Sequence, residues 1–421
     1  MASTSARTVS RGNRASRRCG RHHRGAALRQ SQRPQGQHRF RGHSFAASHL
    51  RDGAVLLDVS RLDHATIDAE KRTAVVGPGK GGSLLMADLE AQNLFFPGGH
   101  CKGVCLGGYL LQGGYGWNSR ILGPACESVI GLDVITAEGE QIHCDEDNHA
   151  DLYWAARGAG PGFFGVVTSF YLKLYPRPAV CGTSVYVYPF EVADEVYTWA
   201  RNISADVDRR VEMQIIATRS VAEMGLEIPA IVLASPAFAD SEEEAKEALS
   251  VFDTCPVVDR ALIKNPYVPT DLPAWYDVVM THYLGDHRYT ADNMWTSASA
   301  DQLLPGIRNI LDTLPPPPSH FLWLNWGPSP ARQDMAYSVE DEIYLALYGS
   351  WKDAADDEKY GDWARSNMAA MSHLATGIQL ADENLGDRPA RFATDEAMAR
   401  LDKTRATYDP DGLFNSWMGR I

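Results

Sequence analysis

A thiol and an imidazole stand together in a stretch of chain that has few side chains to shield them. Phe95–Asn118 reads FFPGGHCKGVCLGGYLLQGGYGWN and sets His100, Cys101 and Cys105 among Gly98, Gly99, Gly107, Gly108, Gly113, Gly114 and Gly116. The deprotonated sulfur of cysteine is a soft nucleophile able to bond an electrophilic carbon. Glycine at this density suits backbone that turns sharply or lies directly on a flat ligand, because no Cβ intervenes. The stretch therefore places a soft nucleophile beside a ligand surface. The competing reading is a glycine-rich turn with two buried thiols, since free cysteine is often simply buried.

The elements that must hold this stretch can be read on both sides of it. Ala54–Val59 (AVLLDV) is predicted as a strand, and Thr73–Val76 as another that ends in the turn Gly77-Pro78-Gly79. Ser83–Gln92 follows as a short helix with Leu85, Met86 and Leu89 on one side. Val129–Thr136 and Gln141–Cys144 make a hairpin, and Val166–Tyr175 alternates as a strand up to Pro176. Further on, Ser184–Tyr188, Glu212–Ala217 and Ile228–Ala234 read as strands, and Ser241–Phe252 as an acidic helix. Phe321–Trp326 as a strand puts Phe321 and Trp323 on one face and Leu322, Leu324 and Trp326 on the other, with Trp323 a candidate to line a pocket. Glu342–Tyr348 alternates in the same way and aligns Tyr344 and Tyr348 with Glu342.

Composition narrows the function classes. A chain of 421 residues exceeds the size at which one core usually stops growing, so two domains are expected. The 44% hydrophobic and 22% charged fractions read as soluble and globular, and no apolar run approaches the roughly 18 residues of a membrane helix. A formal net charge of −13 argues against nucleic acid as a partner. The seven cysteines include no paired CxxC spacing, which speaks against a metal site. No GxGxxG lies between a strand and a helix, and no GxxxxGK[ST] occurs, so neither nucleotide fingerprint is present.

The first forty residues differ from the rest. Before Gly42 every basic side chain is Arg or His, and no acid occurs before Asp52. There is no apolar h-region for a secretory signal, although Arg17-Arg18 offers a twin-arginine pair, and Gly and Pro interrupt any amphipathic transit helix. The segment 1–41 is read as disordered or as translated out of frame, and with no recognisable signal the default location is the cytoplasm.

From Gly42 onward an ordered set of motifs carries a resemblance. Gly42-His43-Ser44-Phe45-Ala46, Gly77-Pro78-Gly79, Gly99-His100-Cys101, Gly107-Gly108, Gly113-Gly114-Tyr115-Gly116 and Asp151–Gly158 through Phe164-Gly165 follow one another. Tyr408–Asn415 (YDPDGLFN) closes the chain. Together they resemble the berberine bridge enzyme-like oxidases of the vanillyl-alcohol oxidase/p-cresol methylhydroxylase (PCMH) superfamily. The resemblance implies an α+β protein with a PCMH-type FAD-binding domain over 42–178. It also implies an antiparallel-sheet substrate domain with covering helices over 179–375, and a C-terminal return to the flavin domain over 376–421.

The resemblance also assigns roles. It implies FAD held by two covalent bonds, from His43 to the 8α-methyl and from Cys101 to C6 of the ring, with Cys105 the second-choice thiol. The remaining cofactor contacts it implies are Gly42, Ser44, Gly99, His100, Gly107, Gly108, Gly113, Gly114, Gly116, Trp117, Asn118, Gly165, Val166 and Asn415. The implied activity is oxidation of a small organic alcohol, sugar or secondary metabolite. A base takes a proton, hydride passes to the flavin, and dioxygen reoxidises it to give hydrogen peroxide. A dehydrogenase with another acceptor, or an inactive remnant, is the alternative. The family's base is often a Tyr or Glu near the closing motif, but the corresponding segment, Thr376–Phe392, has no Tyr. Asp382 and Glu383 there, with Tyr344 across the site, are the candidate catalytic groups, since burial can raise a carboxyl toward neutral pKa. The competing reading has the two carboxylates capping the helix near Thr394 or pairing with Arg388. Upstream, Arg39-Phe40-Arg41-Gly42-His43 departs from the family's Arg-Ser-Gly-Gly-His, and Arg41 in place of glycine bears on how well FAD is retained.

Overall fold

Two antiparallel sheets, each with its own apolar core, divide the protein between them. The computed structural model describes residues 42–328 and 332–420, and Met1–Arg41, with the expectations attached to it, lies outside the described residues.

The first sheet is built from β1 (Ala65–Asp68), β2 (Thr73–Val76), β4 (Val129–Ile135), β5 (Gln141–Cys144) and β6 (Val166–Lys173), in the spatial order β1-β2-β6-β4-β5. A two-stranded ribbon of β3 (Leu94–Phe95) and β7 (Tyr175–Pro176) flanks it. The hairpin between β4 and β5 closes at Gly139, and Thr136 and Glu140 bond across it. The helix Gly82–Glu90 turns Leu85, Met86 and Leu89 inward onto Phe95, Phe96, Trp117, Leu132 and Phe170. Each such side chain contributes about 1.5–3 kcal/mol through removal from water. The C-terminal segment returns to this core, with Ile378, Leu380, Leu385, Leu401 and Trp417 all buried in it.

One expected strand is absent. Ala54–Val59 runs without strand pairing, and Val55, Leu56 and Leu57 are exposed. Consecutive apolar residues there show no alternation, and among the described residues nothing supplies a ladder partner, so the run lies along the edge of the cleft described below.

The second sheet has seven strands in the order β11-β8-β10-β9-β13-β14-β12. They are β8 (Val180–Pro189), β9 (Gln214–Thr218), β10 (Ala230–Ala239), β11 (Ile263–Pro269), β12 (Arg288–Thr296), β13 (His320–Asn325) and β14 (Ile343–Trp351). The two-residue period sends alternate side chains to opposite faces. One face, with Ile215, Phe321, Trp323 and Leu345, packs under the helices Ala193–Asn202, Ala300–Thr313 and Trp363–Ala370. Trp323 belongs to that core, 5.7 Å from the Tyr197 ring, so its candidacy as a pocket residue is corrected. Its neighbours Leu322 and Leu324 face the other way and line the cleft. Among the described residues no helix is long and apolar enough to cross a membrane.

Candidate active site

A cleft of about 4060 Å³ opens between the loops of the first sheet and the free face of the second. That is several times the roughly 300–1,000 Å³ of a drug-sized ligand site. It has room for an extended cofactor and a substrate together.

One wall comes from the glycine-rich stretch and from the segment around His43. Gly42, His43, Ser44, Gly99, His100, Cys101, Gly107, Gly108, Gly165, Val166 and Asn415 all line the cleft. Gly114 does so as well, whereas Gly113, Gly116, Trp117 and Asn118 are not among its lining residues. Gly113 sits at φ +107°, where a side chain would be strained, and a Cβ there would meet the Tyr337 ring at 2.7 Å. Trp117 is fully buried with its ring 4.2 Å from that of His100. The His100 Nε2 is in turn 3.1 Å from the buried carboxylate of Glu212, which also accepts from the Asn118 backbone N–H. This joins the loop to the second sheet, and no motif in the sequence pointed to Glu212.

The opposite wall carries a cluster of hydrogen-bonded polar side chains, Tyr344, Tyr348 and Asp382. Tyr344 donates to Asp382 Oδ2 at 2.6 Å, and Tyr348 donates to the same oxygen at 2.8 Å. Tyr344 and Tyr348 stand on one face of β14, as its alternation requires, and Asp382 arrives from the C-terminal segment. That segment is held by β12. Asn293 Nδ2 donates to the carbonyls of Gln379 (3.0 Å) and Asp382 (2.8 Å), while Gln379 N–H donates to Asn293 Oδ1 at 2.7 Å. Trp295 pairs with the backbone at Thr376 and Gly377. Arg388 is engaged with Asp292, and Thr394 caps the final helix Asp395–Tyr408 with its own hydroxyl. Asp382 and Glu383 therefore serve neither as the helix cap nor as the Arg388 partner.

Burial pushes the Asp382 carboxyl above its ordinary range, and the two tyrosine hydrogen bonds oppose that rise. Tyr344 and Tyr348 are themselves held well above the usual phenol range by burial and by the Asp382 charge, so they stay protonated and act as donors. Glu383 differs. It also lines the cleft, but its Oε2 accepts a local bond from the Leu385 N–H at 2.7 Å, and burial raises its carboxyl too. Of the two cleft-lining carboxylates, Asp382 is the one on which the tyrosine hydroxyls converge.

Two further residues complete this wall without having been legible beforehand. His320 of β13 stacks on Tyr348 with centroids 4.8 Å apart, and its Nδ1 is 3.0 Å from the Pro318 carbonyl. Its Nε2 then faces the Tyr283 hydroxyl at 3.4 Å. Burial lowers the His320 pKa to about 3, which keeps the ring neutral. Phe45, two residues beyond His43, inserts between these rings, 5.6 Å from both Tyr348 and Tyr289 and 6.4 Å from Tyr283. The alternation of β13 could have shown that His320 shares a face with Leu322, but nothing in the sequence marked that face as the open one.

Cys101 is partly open to the cleft, and burial together with the Asp382 charge pushes its thiol up to about 12. At neutral pH the sulfur therefore keeps its proton, contrary to the ready-made thiolate that a covalent bond requires. Cys105 turns toward the Gly79 carbonyl, 3.5 Å away.

The residues present fit FAD. Gly108 lines the cleft, and a Cβ added to it would meet nothing within 4 Å, so the wall there is bare backbone open to a flat ring. The buried Tyr115 hydroxyl, also at the cleft, has no hydrogen-bond partner among the described residues. The imidazole of His43 and the thiol of Cys101 line the same cleft.

Comparison with known proteins agrees. A family profile described as an FAD binding domain matches residues 35–145. The FAD-linked oxidoreductase nodO of Hypoxylon pulicicidum is 32% identical over 375 residues, spanning 88% of this chain and 82% of that protein. In fold, 6-hydroxy-D-nicotine oxidase from Arthrobacter nicotinovorans superposes with a TM-score of 0.74 at 19% identity, covering 87% of this chain and 82% of that one. The berberine bridge enzyme-like protein 1 of Physcomitrella patens gives 0.75 at 16% identity, covering 90% and 84%.

Proposed function

The chain belongs to the FAD-linked oxidoreductases and has the berberine bridge enzyme-like, PCMH-type fold, and from that premise we propose that it is an oxidase of a small organic alcohol, with Asp382 as the general base. The observation that carries this reading is the convergence of the Tyr344 and Tyr348 hydroxyls on one Asp382 oxygen that faces the cleft.

Bound FAD supplies a two-electron acceptor. The protein's own part is to place and deprotonate the substrate. Asp382 takes the proton from the substrate hydroxyl, and a positioned base of this kind contributes about 10²–10⁴-fold. Tyr344 and Tyr348 hold the carboxylate in one orientation and favour its charged form before the proton moves. Phe45, Tyr115 and the aromatic wall around them exclude water, which strengthens these interactions. Gly108, Gly165 and Val166 provide the surface for the ring, and His43 and Cys101 are the residues that would tether it. Burial holds the proton on the Cys101 thiol, so that sulfur would have to be deprotonated before it could tether the ring. Dioxygen is the final acceptor on this reading.

The test is a panel of primary and secondary alcohols given to the purified chain in an oxygen electrode. Dioxygen consumption matched by hydrogen peroxide supports the oxidase. Flavin reduction with an artificial acceptor and no dioxygen uptake would make it a dehydrogenase.

A further inference from the structure

Away from Asp382, one row of side chains across the cleft's sheet floor is wholly apolar. Leu322 of β13 pairs with Ala346 of β14 on one side and with Ile216 of β9 on the other. Ile216 in turn pairs with Val232 of β10. Leu322, Ile216 and Val232 all line the cleft. The row begins beside the strand that carries Tyr344 and Tyr348 and runs away from it, covering about 10 Å at roughly 4.8 Å between strands. Val221 and Met224, from the connection between β9 and β10, gather at its far end.

The polar side chains flanking this row are already engaged. Thr218 Oγ1 donates to the Ser319 carbonyl at 3.3 Å, and Gln214 Nε2 donates to Glu212 at 3.3 Å. Both ring nitrogens of His320 have partners, and both tyrosine hydroxyls are given to Asp382. A sugar needs the reverse, because each hydroxyl stripped of water must find a free donor or acceptor or be left at a cost. A hydrocarbon or fused-ring body needs only the apolar surface.

We infer that, on the oxidase reading above, the substrate is an elongated, uncharged molecule whose oxidisable hydroxyl sits at Asp382 and whose apolar body lies along Leu322, Ile216 and Val232. A carbohydrate laid along that row finds no hydrogen-bonding side chain in it.

Binding tests this without turnover. Testosterone serves as the apolar alcohol probe and xylobiose as the polar one, each titrated calorimetrically, with oxygen removed, into the full-length Asp382→Asn chain with FAD present, so that the heat is that of binding. Testosterone is expected to bind with a negative heat-capacity change, the signature of apolar burial, and xylobiose to give no saturable heat. Ile216→Gln is expected to weaken testosterone about tenfold, the scale of one side chain's worth of apolar contact. Val232→Thr changes polarity with little change in shape and is expected to move affinity in the same direction, which covers a folding failure of the first variant. Saturable xylobiose binding without testosterone binding overturns the inference, as does testosterone affinity unmoved by either substitution. The oxidase reading fails separately. Testosterone bound normally by a chain that reduces flavin with no alcohol sinks that reading and leaves the ligand class standing. Xylobiose oxidised in an Asp382-dependent way does the opposite.

Discussion

The Tyr344 hydroxyl donates to Asp382 Oδ2 at 2.6 Å, joining a strand of the second sheet to a segment 38 residues further on that belongs to the core of the first. The proposed acid–base centre is therefore assembled from both halves of the protein, and its electrostatics depend on their docking.

Removing the tyrosine donors should move the pH dependence in a known direction. A carboxylate base works above its pKa, and hydrogen bonds to the charged form lower that pKa. Tyr344→Phe and Tyr348→Phe each delete one such bond, so the acid limb of the kcat/KM profile should shift to higher pH, and further in the double variant. An unmoved limb would mean that another group titrates.

Asn293 holds the backbone at Gln379 and Asp382 and, on the proposed mechanism, positions that carboxylate without taking part. Asn293→Ala leaves the Gln379 and Asp382 carbonyls and the Gln379 N–H without their partner, at about 1–3 kcal/mol for each buried group left unpaired. Thermal melts should show the loss. In the surviving folded protein kcat should fall more than KM rises, since Asp382 is displaced and the apolar floor is not. A change in stability alone, with kcat intact, would assign Asn293 to the scaffold.

The tether is tested by mass. Acid-precipitated parent protein should remain yellow, with an intact mass raised by one FAD. Cys101→Ala should keep a single bond through His43, and Cys105→Ala should change nothing. A thiol linkage lost in Cys105→Ala and kept in Cys101→Ala would reverse the assignment. The raised Cys101 pKa adds a direction, because formation of the second bond should accelerate as pH rises toward about 12.

Two substitutions separate cofactor wall from core. Gly108→Leu points its side chain into open space, so flavin content should fall while the melting temperature of the FAD-free chain is kept. Trp323→Ala should instead cost about 3–5 kcal/mol of stability, as large buried aromatics do, with substrate KM unchanged in what folds. A KM effect without a stability effect would return Trp323 to the pocket.

Much of this site could be read in the sequence, and the reasons for the rest are physical. His43, Cys101 and the glycines around them are local in sequence, and motifs of that kind survive without knowledge of packing. The alternation of β14 correctly put Tyr344 and Tyr348 on one face. The same period on β13 separated Trp323 from Leu322 but could not say which face meets helices, because that depends on where Ala193–Asn202 and Ala300–Thr313 lie. Glu212, Tyr283 and His320 carry no local signal, since each acquires its partner from a distant element. Ala54–Val59 failed as a strand because apolar character without alternation does not specify a ladder.

The central claim is that Asp382 removes the substrate proton, and anaerobic bleaching of the flavin's visible band measures that step most directly. Parent protein and Asp382→Asn are mixed side by side with the same alcohol, with flavin content and probe binding matched. The variant should bind equally and melt no lower than the parent. Burial raises the folded-state pKa of Asp382, so its charged form opposes folding as pH rises through the window above the ordinary carboxyl value, and the amide removes that penalty. Its bleaching should be about 10²–10⁴-fold slower. Bleaching at the parent rate in Asp382→Asn would contradict the account.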